Sequence, residues 1–150
     1  MITTKNGDRG TSEYFGKKVS KGGKLLEAIG TLDELQAVIQ LVSYGLRVTS
    51  FKKVSEDLYL IMGKKLTKDR VEWIEEEINN LEKELKVENK FVVFKKGRAL
   101  KLNWMRTVIR RAERTVVRLE TRNKKLDKNI LIYLNRLSDY IYLLALKEEV

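Results

Sequence analysis

From Lys24 onward the apolar residues Leu25, Ile29, Leu32, Leu35, Val38, Ile39 and Val42 recur at intervals of three and four. That period predicts an amphipathic helix that ends between Gly45 and Thr49, with Gly30 interrupting it at some cost. The pattern repeats over Phe51–Leu66, where Val54, Leu58, Ile61 and Met62 point inward. A third helix is predicted over Lys68–Lys86 behind Thr67 as N-cap, with Val71, Ile74, Ile78, Leu81 and Leu85 in one stripe and acidic residues opposite. A fourth runs over Arg98–Arg122, with Trp104, Val108, Ala112, Thr115 and Leu119 near one face. After a turn at Asn123-Lys124-Lys125, a fifth starts near Asp127 and reaches about Lys147, burying Ile130, Leu134, Leu137, Ile141 and Leu144.

Two stretches break this pattern. Phe91-Val92-Val93-Phe94 is a short apolar run that reads as a brief strand or an extended linker. Residues 1–23 carry Gly7, Gly10, Gly16, Gly22 and Gly23 among Thr, Asn, Asp and Ser, and read as an ordered loop. Five helices with short connections and no proline predict an all-α, antiparallel five-helix bundle. No repeat, low-complexity segment or linker divides residues 1–150, so one domain is expected, with 1–23 as its N-terminal loop.

Composition narrows the chemistry more than the fold. The chain has no cysteine and no histidine. Disulfides, thiolate catalysis, zinc fingers, iron–sulfur clusters, Ser-His-Asp triads and imidazole acid–base chemistry are therefore excluded. No apolar run reaches the roughly 18 residues of a membrane span, and MITTKNGDRG has no signal-peptide core, so a cytoplasmic protein without a membrane partner is expected.

Lys plus Arg number 31 against 21 Asp plus Glu, a net charge of +10. The excess is confined to residues 1–24 and, above all, 90–125, where thirteen basic residues stand against two acidic ones. Both regions call for an anion: nucleic acid or polyphosphate. Local motifs have to decide between them.

Three clusters bear on that choice. Thr3 to Ser12, followed by Lys17, Lys18 and Lys21, combines glycines, hydroxyls and lysines in the manner of a phosphate cradle, but without Walker spacing. The same composition also describes a basic N-terminal arm. Arg106, Arg110 and Arg114 share a helix face, with Arg111 and Glu113 beside them. They are an anion site or a solvated basic face. Asn135 and Asp139 lie one turn apart, with Arg136 between them, in an otherwise apolar helix. They are ligand contacts or a helix–helix hydrogen-bonding pair.

Together these motifs resemble the PduO-type ATP:cob(I)alamin adenosyltransferases. The family's TKTGDxGxT and FG..R/KVSK patterns correspond to Thr4–Thr11 and Phe15–Lys21. Its EAxGTLDEL corresponds to Glu27–Leu35, its RxxxRRAER to Arg106–Arg114, and its YLNRLSDY to Tyr133–Tyr140. The resemblance implies a homotrimer with ATP sites between subunits. Thr4, Lys5, Asn6, Gly7, Ser12 and Lys21 would wrap the triphosphate, its magnesium carried by the phosphates. Arg110 and Asn135 would contact ATP, with Glu113 and Arg114 in the same stretch. Asp33 and Arg106 would form a charge pair across the subunit interface and join Arg110 in the catalytic set.

The implied reaction suits a chain without histidine. Cob(I)alamin is itself the nucleophile and needs no protein base; the protein neutralises the departing triphosphate and positions the reactants. Phe91 matches the family phenylalanine that packs beneath the corrin. Here the sequence departs from the pattern, because Phe91–Gly97 lacks the proline and one glycine of F-x-L-P-G-G, and Asn103 replaces a usual histidine. Asn6 and Glu13 stand where Thr and a small residue are common. The departures leave open a second reading, a non-catalytic ATP-binding or regulatory trimer. A nucleic-acid-binding bundle ranks below both, because no aromatic platforms interleave the basic residues.

Overall fold

A computed structural model describes residues 3, 5–46, 48–87, 91–120 and 125–150. Five helices carry the chain: α1 (Lys24–Ser43), α2 (Ser50–Met62), α3 (Lys68–Leu85), α4 (Gly97–Val117) and α5 (Lys128–Glu149). The apolar stripes meet in one core, dominated by Leu35, Ile39, Leu58, Ile74, Leu102, Met105, Ile109, Leu134 and Ile141. The predicted inward residues of α5 are all buried. Asp127 is its N-cap, its side chain accepting from the Asn129 amide at 2.8 Å. Thr67 occupies the N-cap of α3, but its side chain makes no capping hydrogen bond.

The cross-helix bonds fix the directions of the helices. Glu27 pairs with Arg118, Thr31 Oγ1 shares a 2.7 Å hydrogen bond with Thr115 Oγ1, and Glu34 pairs with Arg111. Rising numbers on α1 meet falling numbers on α4, so these two helices are antiparallel. The seven-residue steps 27, 34 and 118, 111 bring Leu41 level with Trp104 at the next rung. Glu113–Asn135 and Arg98–Glu148 make α4 and α5 antiparallel by the same test. Glu75–Arg136 and Glu84–Lys147 rise together, so α3 and α5 lie side by side and parallel. The helices thus alternate in direction along the chain, but not every spatial neighbour is antiparallel.

Three sequence expectations need correction. Residues 11–20 form a β-hairpin, β1 (Thr11–Tyr14) paired antiparallel with β2 (Lys17–Ser20). Its two-residue turn has φ of 47° at Phe15 and 72° at Gly16, the type I′ geometry that matches strand twist. The hydroxyl of Tyr14 docks the hairpin by donating to the Met62 carbonyl at the end of α2. Of the two readings open for the run at Phe91, the linker holds: Phe91–Lys95 forms no strand and leads into α4. Trp104 is 46% exposed, and Leu102, Met105 and Ile109 fill the interior in its place. Finally, α4 ends at Val117 rather than Arg122. The turn predicted at Asn123-Lys124-Lys125 falls mostly outside the described residues.

One buried polar group had no forewarning in the sequence. Asp57 on α2 is 0% exposed. Tyr133 on α5 donates to its Oδ2 at 2.7 Å, and Arg70 on α3 stands 2.9 Å from Oδ1. Oδ1 takes no directed hydrogen bond, so its contact with Arg70 is held by charge. Burial raises the Asp57 carboxyl above its ordinary value, while Tyr133 and Arg70 pull it back.

Candidate anion-binding and corrinoid-facing site

The N-terminal residues fold into a cradle because successive turns bring their backbone together. The Asp8 amide donates to the Lys5 carbonyl and the Gly10 amide to the Gly7 carbonyl, each at 3.2 Å. Lys5 takes a left-handed φ of 59°. The Lys21 amide then donates to Gly10 at 2.9 Å, closing the loop on the base of the hairpin. The Lys21 side chain folds back so that Nζ donates to the Gly7 carbonyl at 2.9 Å. A Cβ on residue 7 would lie 2.5 Å from that ammonium, so glycine is what lets the lysine reach over.

The result is a hollow of about 600 Å³ lined by Asn6, Gly7, Thr11, Ser12, Glu13, Lys18 and Lys21. It brings together four of the predicted cradle residues, Asn6, Gly7, Ser12 and Lys21. It also holds Thr11 and Lys18, which belong to the cradle by composition though not by the family match, and adds Glu13, which neither had placed there. Predicted Lys5 helps shape the turn, and Thr4 lies outside the described residues.

A second hollow, of about 400 Å³, opens between α4 and α5 and is lined by Arg110, Glu113, Arg114, Val117, Arg118 and Asn135. Every predicted helix-borne ATP residue is here. Asn135 Nδ2 donates to Glu113 Oε1 at 3.3 Å, and Asn135 Oδ1 accepts from Arg136 at 3.2 Å. The amide is therefore oriented from both sides. Asn135 and Asp139 do not face the bundle interior, as the apolar context suggested; they line its rim, half-buried and exposed respectively. Although Asp139 is exposed at the rim, the protein atoms around it strip part of its water and raise its carboxyl, with Arg136 and Arg110 opposing the shift.

The arginines of α4 divide into two groups. Arg111 and Arg118 are paired with Glu34 and Glu27 on α1. Arg110 and Arg114 have no carboxylate within ion-pair distance among the described residues. They line the hollow beside the already paired Arg118, and there an anion can take the vacant place.

Asp33 and Arg106 are not brought together within the chain. The α1–α4 register puts Asp33 level with Ala112 and Glu113. Arg106 is six residues further along, about 9 Å by helical rise. Asp33 is exposed and has no cationic partner among the described residues. Arg106 Nε donates to Asn103 Oδ1 at 3.0 Å, and its guanidinium stands 5.9 Å from the Tyr142 ring centre.

The same ring receives Phe94, edge-on at 6.0 Å. Phe94 is buried, while Phe91, three residues before it, is 93% exposed. The extended segment thus has an anchored end and a free aromatic end. Tyr142, which ties this segment to Arg106, carried no recognisable signal in the sequence.

Comparison with known proteins agrees with this fold. The family model for cobalamin adenosyltransferase matches residues 2–148. A corrinoid adenosyltransferase of Bacillus subtilis (strain 168) is 31% identical over 96% of this chain and 84% of its own length. The corrinoid adenosyltransferase PduO of Salmonella typhimurium is 34% identical over 99% of this chain, which spans 49% of that protein. Among solved structures, a PduO-type ATP:co(I)rrinoid adenosyltransferase variant from Lactobacillus reuteri complexed with ATP superposes with a TM-score of 0.84. It is 27% identical and covers 97% of this chain and 92% of its own. A second variant from that organism, complexed with cobalamin and ATP, gives a TM-score of 0.77 at 27% identity, covering 97% and 89%. Matched by the family model over nearly all of its length, the chain belongs to the cobalamin adenosyltransferase family.

Proposed function

We propose that this protein transfers the 5′-deoxyadenosyl group of ATP to cob(I)alamin, forming adenosylcobalamin and releasing triphosphate. One observation carries the reading: a glycine-and-lysine cradle and a groove with two arginines that have no ion-pair partner among the described residues occur in a chain whose relatives in solved structures hold ATP and cobalamin. The cobalt lone pair forms the Co–C bond at the 5′-carbon, and the C–O electron pair leaves with the triphosphate. The protein's work is electrostatic and positional. Lys21, Lys18 and the hydroxyls of Thr11 and Ser12 take the triphosphate, and Arg110 and Asn135 hold ATP from the helical side. Glu113 and Arg114 frame that contact. Phe91 offers an apolar face to the corrin.

The two hollows share no lining residue, which supports a homotrimer in which one subunit's cradle meets another's groove. Asp33 and Arg106, out of register within a chain, would meet across that interface. The exposed apolar Leu41 and Trp104 at the third rung of the α1–α4 seam favour a covering subunit. The whole chain acts as one unit in the cytoplasm, with residues 1–23 as its phosphate-binding part. No described helix is long and apolar enough to cross a membrane.

Magnesium fits as a companion of ATP. Among the described residues no group of three His, Cys, Asp or Glu could cage a metal ion. The ion would be held by the phosphates and water, with Ser12, Thr11 and Glu13 as the oxygen donors at hand. Its contribution is charge neutralisation on the triphosphate.

The test is an anaerobic assay with ATP, magnesium and chemically reduced cobalamin, following loss of the cob(I)alamin absorbance. Adenosylcobalamin should form, and Phe91→Ala should slow its formation without unfolding the chain. ATP binding with no product from saturating reduced cobalamin would sink the proposal in favour of the non-catalytic trimer.

A further inference from the structure

The amides of Lys95 and Lys96 sit at the N-terminus of α4, where helical backbone donors have no partners within the helix. Lys96 is the N-cap, and its own side chain does not cap. The acceptor comes from the far end of the chain. Glu149 Oε2, in the last turn of α5, takes both amides, at 2.9 Å from Lys95 and 3.0 Å from Lys96. A carboxylate at a helix N-terminus is also favoured by the helix dipole. Those two bonds draw the Glu149 carboxyl below its ordinary range.

Neighbouring contacts follow the same line. Arg98 in the first turn of α4 stands 3.7 Å from Glu148, and Phe94 packs on Tyr142, seven residues before Glu149 on the same helix. The segment from Phe94 to Lys96 is thus fastened to the last two turns of α5. It contains no proline to stiffen it. Its course is set by side chains from another helix, and it is this segment that displays Phe91.

We infer that Glu149 is a positioning residue for the corrinoid: by holding the Lys95 and Lys96 amides, it fixes the segment that presents Phe91. The inference rests on the adenosyltransferase reading and on Phe91 as the corrin-facing residue. Glu149 touches neither hollow in which ATP is placed. Its removal should therefore be felt by one substrate and not by the other.

The experiment compares Glu149→Ala and Glu149→Gln with the wild type in three readouts: KM for cob(I)alamin against kcat, Kd for ATP by calorimetry, and amide exchange over residues 91–98. Glu149→Ala should raise the cob(I)alamin KM about tenfold, the loss expected for one charge-assisted cap, with kcat and ATP Kd within about twofold. Amide exchange should quicken in that segment alone. Glu149→Gln keeps an acceptor oxygen without the charge and should fall between the two. An unmoved cob(I)alamin KM with active wild type overturns this inference alone, as does a parallel loss of ATP affinity. Absence of transfer by the wild type overturns the functional reading and this inference with it.

Discussion

Asp33 and Arg106 stand about 9 Å out of step along the seam between α1 and α4, a seam fastened by Glu27–Arg118 and Glu34–Arg111. In the proposed trimer each would meet its counterpart on a neighbouring subunit. Arg106→Ala and Asp33→Ala should each weaken the trimer and lower activity at micromolar protein by tenfold or more, because a desolvated charge is left unpaired at a cost of about 2–5 kcal/mol. The double reversal Asp33→Arg with Arg106→Asp should restore much of both. Light scattering coupled to size exclusion reads the assembly directly, and single variants that stay trimeric and fully active would rule the pairing out.

Gly7 and Lys21 make a second, local prediction. A methyl group at residue 7 would occupy the space of the Lys21 ammonium, which sits at the flexible end of its side chain. The lysine can swing away, so Gly7→Ala should lower the melting temperature little. ATP affinity should fall about tenfold as the ammonium leaves the cradle, in line with the loss of one charge-assisted contact. Calorimetric titration with ATP beside a thermal melt separates the two effects.

Arg110 and Asn135 differ in how they are held, and their variants should differ as well. Arg110 has no carboxylate partner among the described residues, so Arg110→Ala removes an anion contact and leaves the fold untouched. ATP binding should weaken by about 1.5–3 kcal/mol. Asn135 also bonds Glu113 and Arg136. Asn135→Ala should therefore weaken ATP binding and in addition release Glu113 and Arg136 from their set positions, showing a small loss of thermal stability that Arg110→Ala lacks. Equal ATP affinity in both variants and the wild type would remove this groove from the ATP site.

The buried Asp57 carries a pH prediction. Its folded-state carboxyl titrates above the ordinary aspartate value, chiefly because it is buried. The folded state then holds the proton more tightly than the unfolded one, so stability from this group rises as pH falls through that raised value. The wild type should gain melting temperature relative to Asp57→Asn as pH falls through that raised value toward the ordinary aspartate value. Asp57→Ala, which strands Arg70 and the Tyr133 hydroxyl, should cost about 3–5 kcal/mol at neutral pH. Chemical denaturation across pH measures both, and a flat difference between wild type and Asp57→Asn would contradict the assignment.

Helical period alone located all five helices, because burying one face of a helix imposes a repeat that survives in the sequence whatever the partner is. The family resemblance, not the period, pointed to the motif residues: Asn6, Gly7, Ser12 and Lys21 converge in one hollow, and Arg110, Glu113, Arg114 and Asn135 in another. The hairpin escaped notice because its strands are four residues long and its turn is Phe-Gly rather than one of the usual Asn-Gly or Asp-Gly pairs. Trp104 fits the helical period equally well, yet packing chose Leu102 and Met105 for the interior.

Other relationships join residues far apart in the chain, and no local pattern records them. Glu149 capping Lys95 and Lys96, Asp57 between Tyr133 and Arg70, and Tyr142 shared by Phe94 and Arg106 are contacts between separate elements. The sequence determined which stretches are helical and which residue types could meet phosphate, because periodicity and charge are local properties. Only the tertiary structure decided which arginines are already neutralised, which carboxylate holds the Phe91 segment and which charge lacks a partner, because those depend on the register between helices.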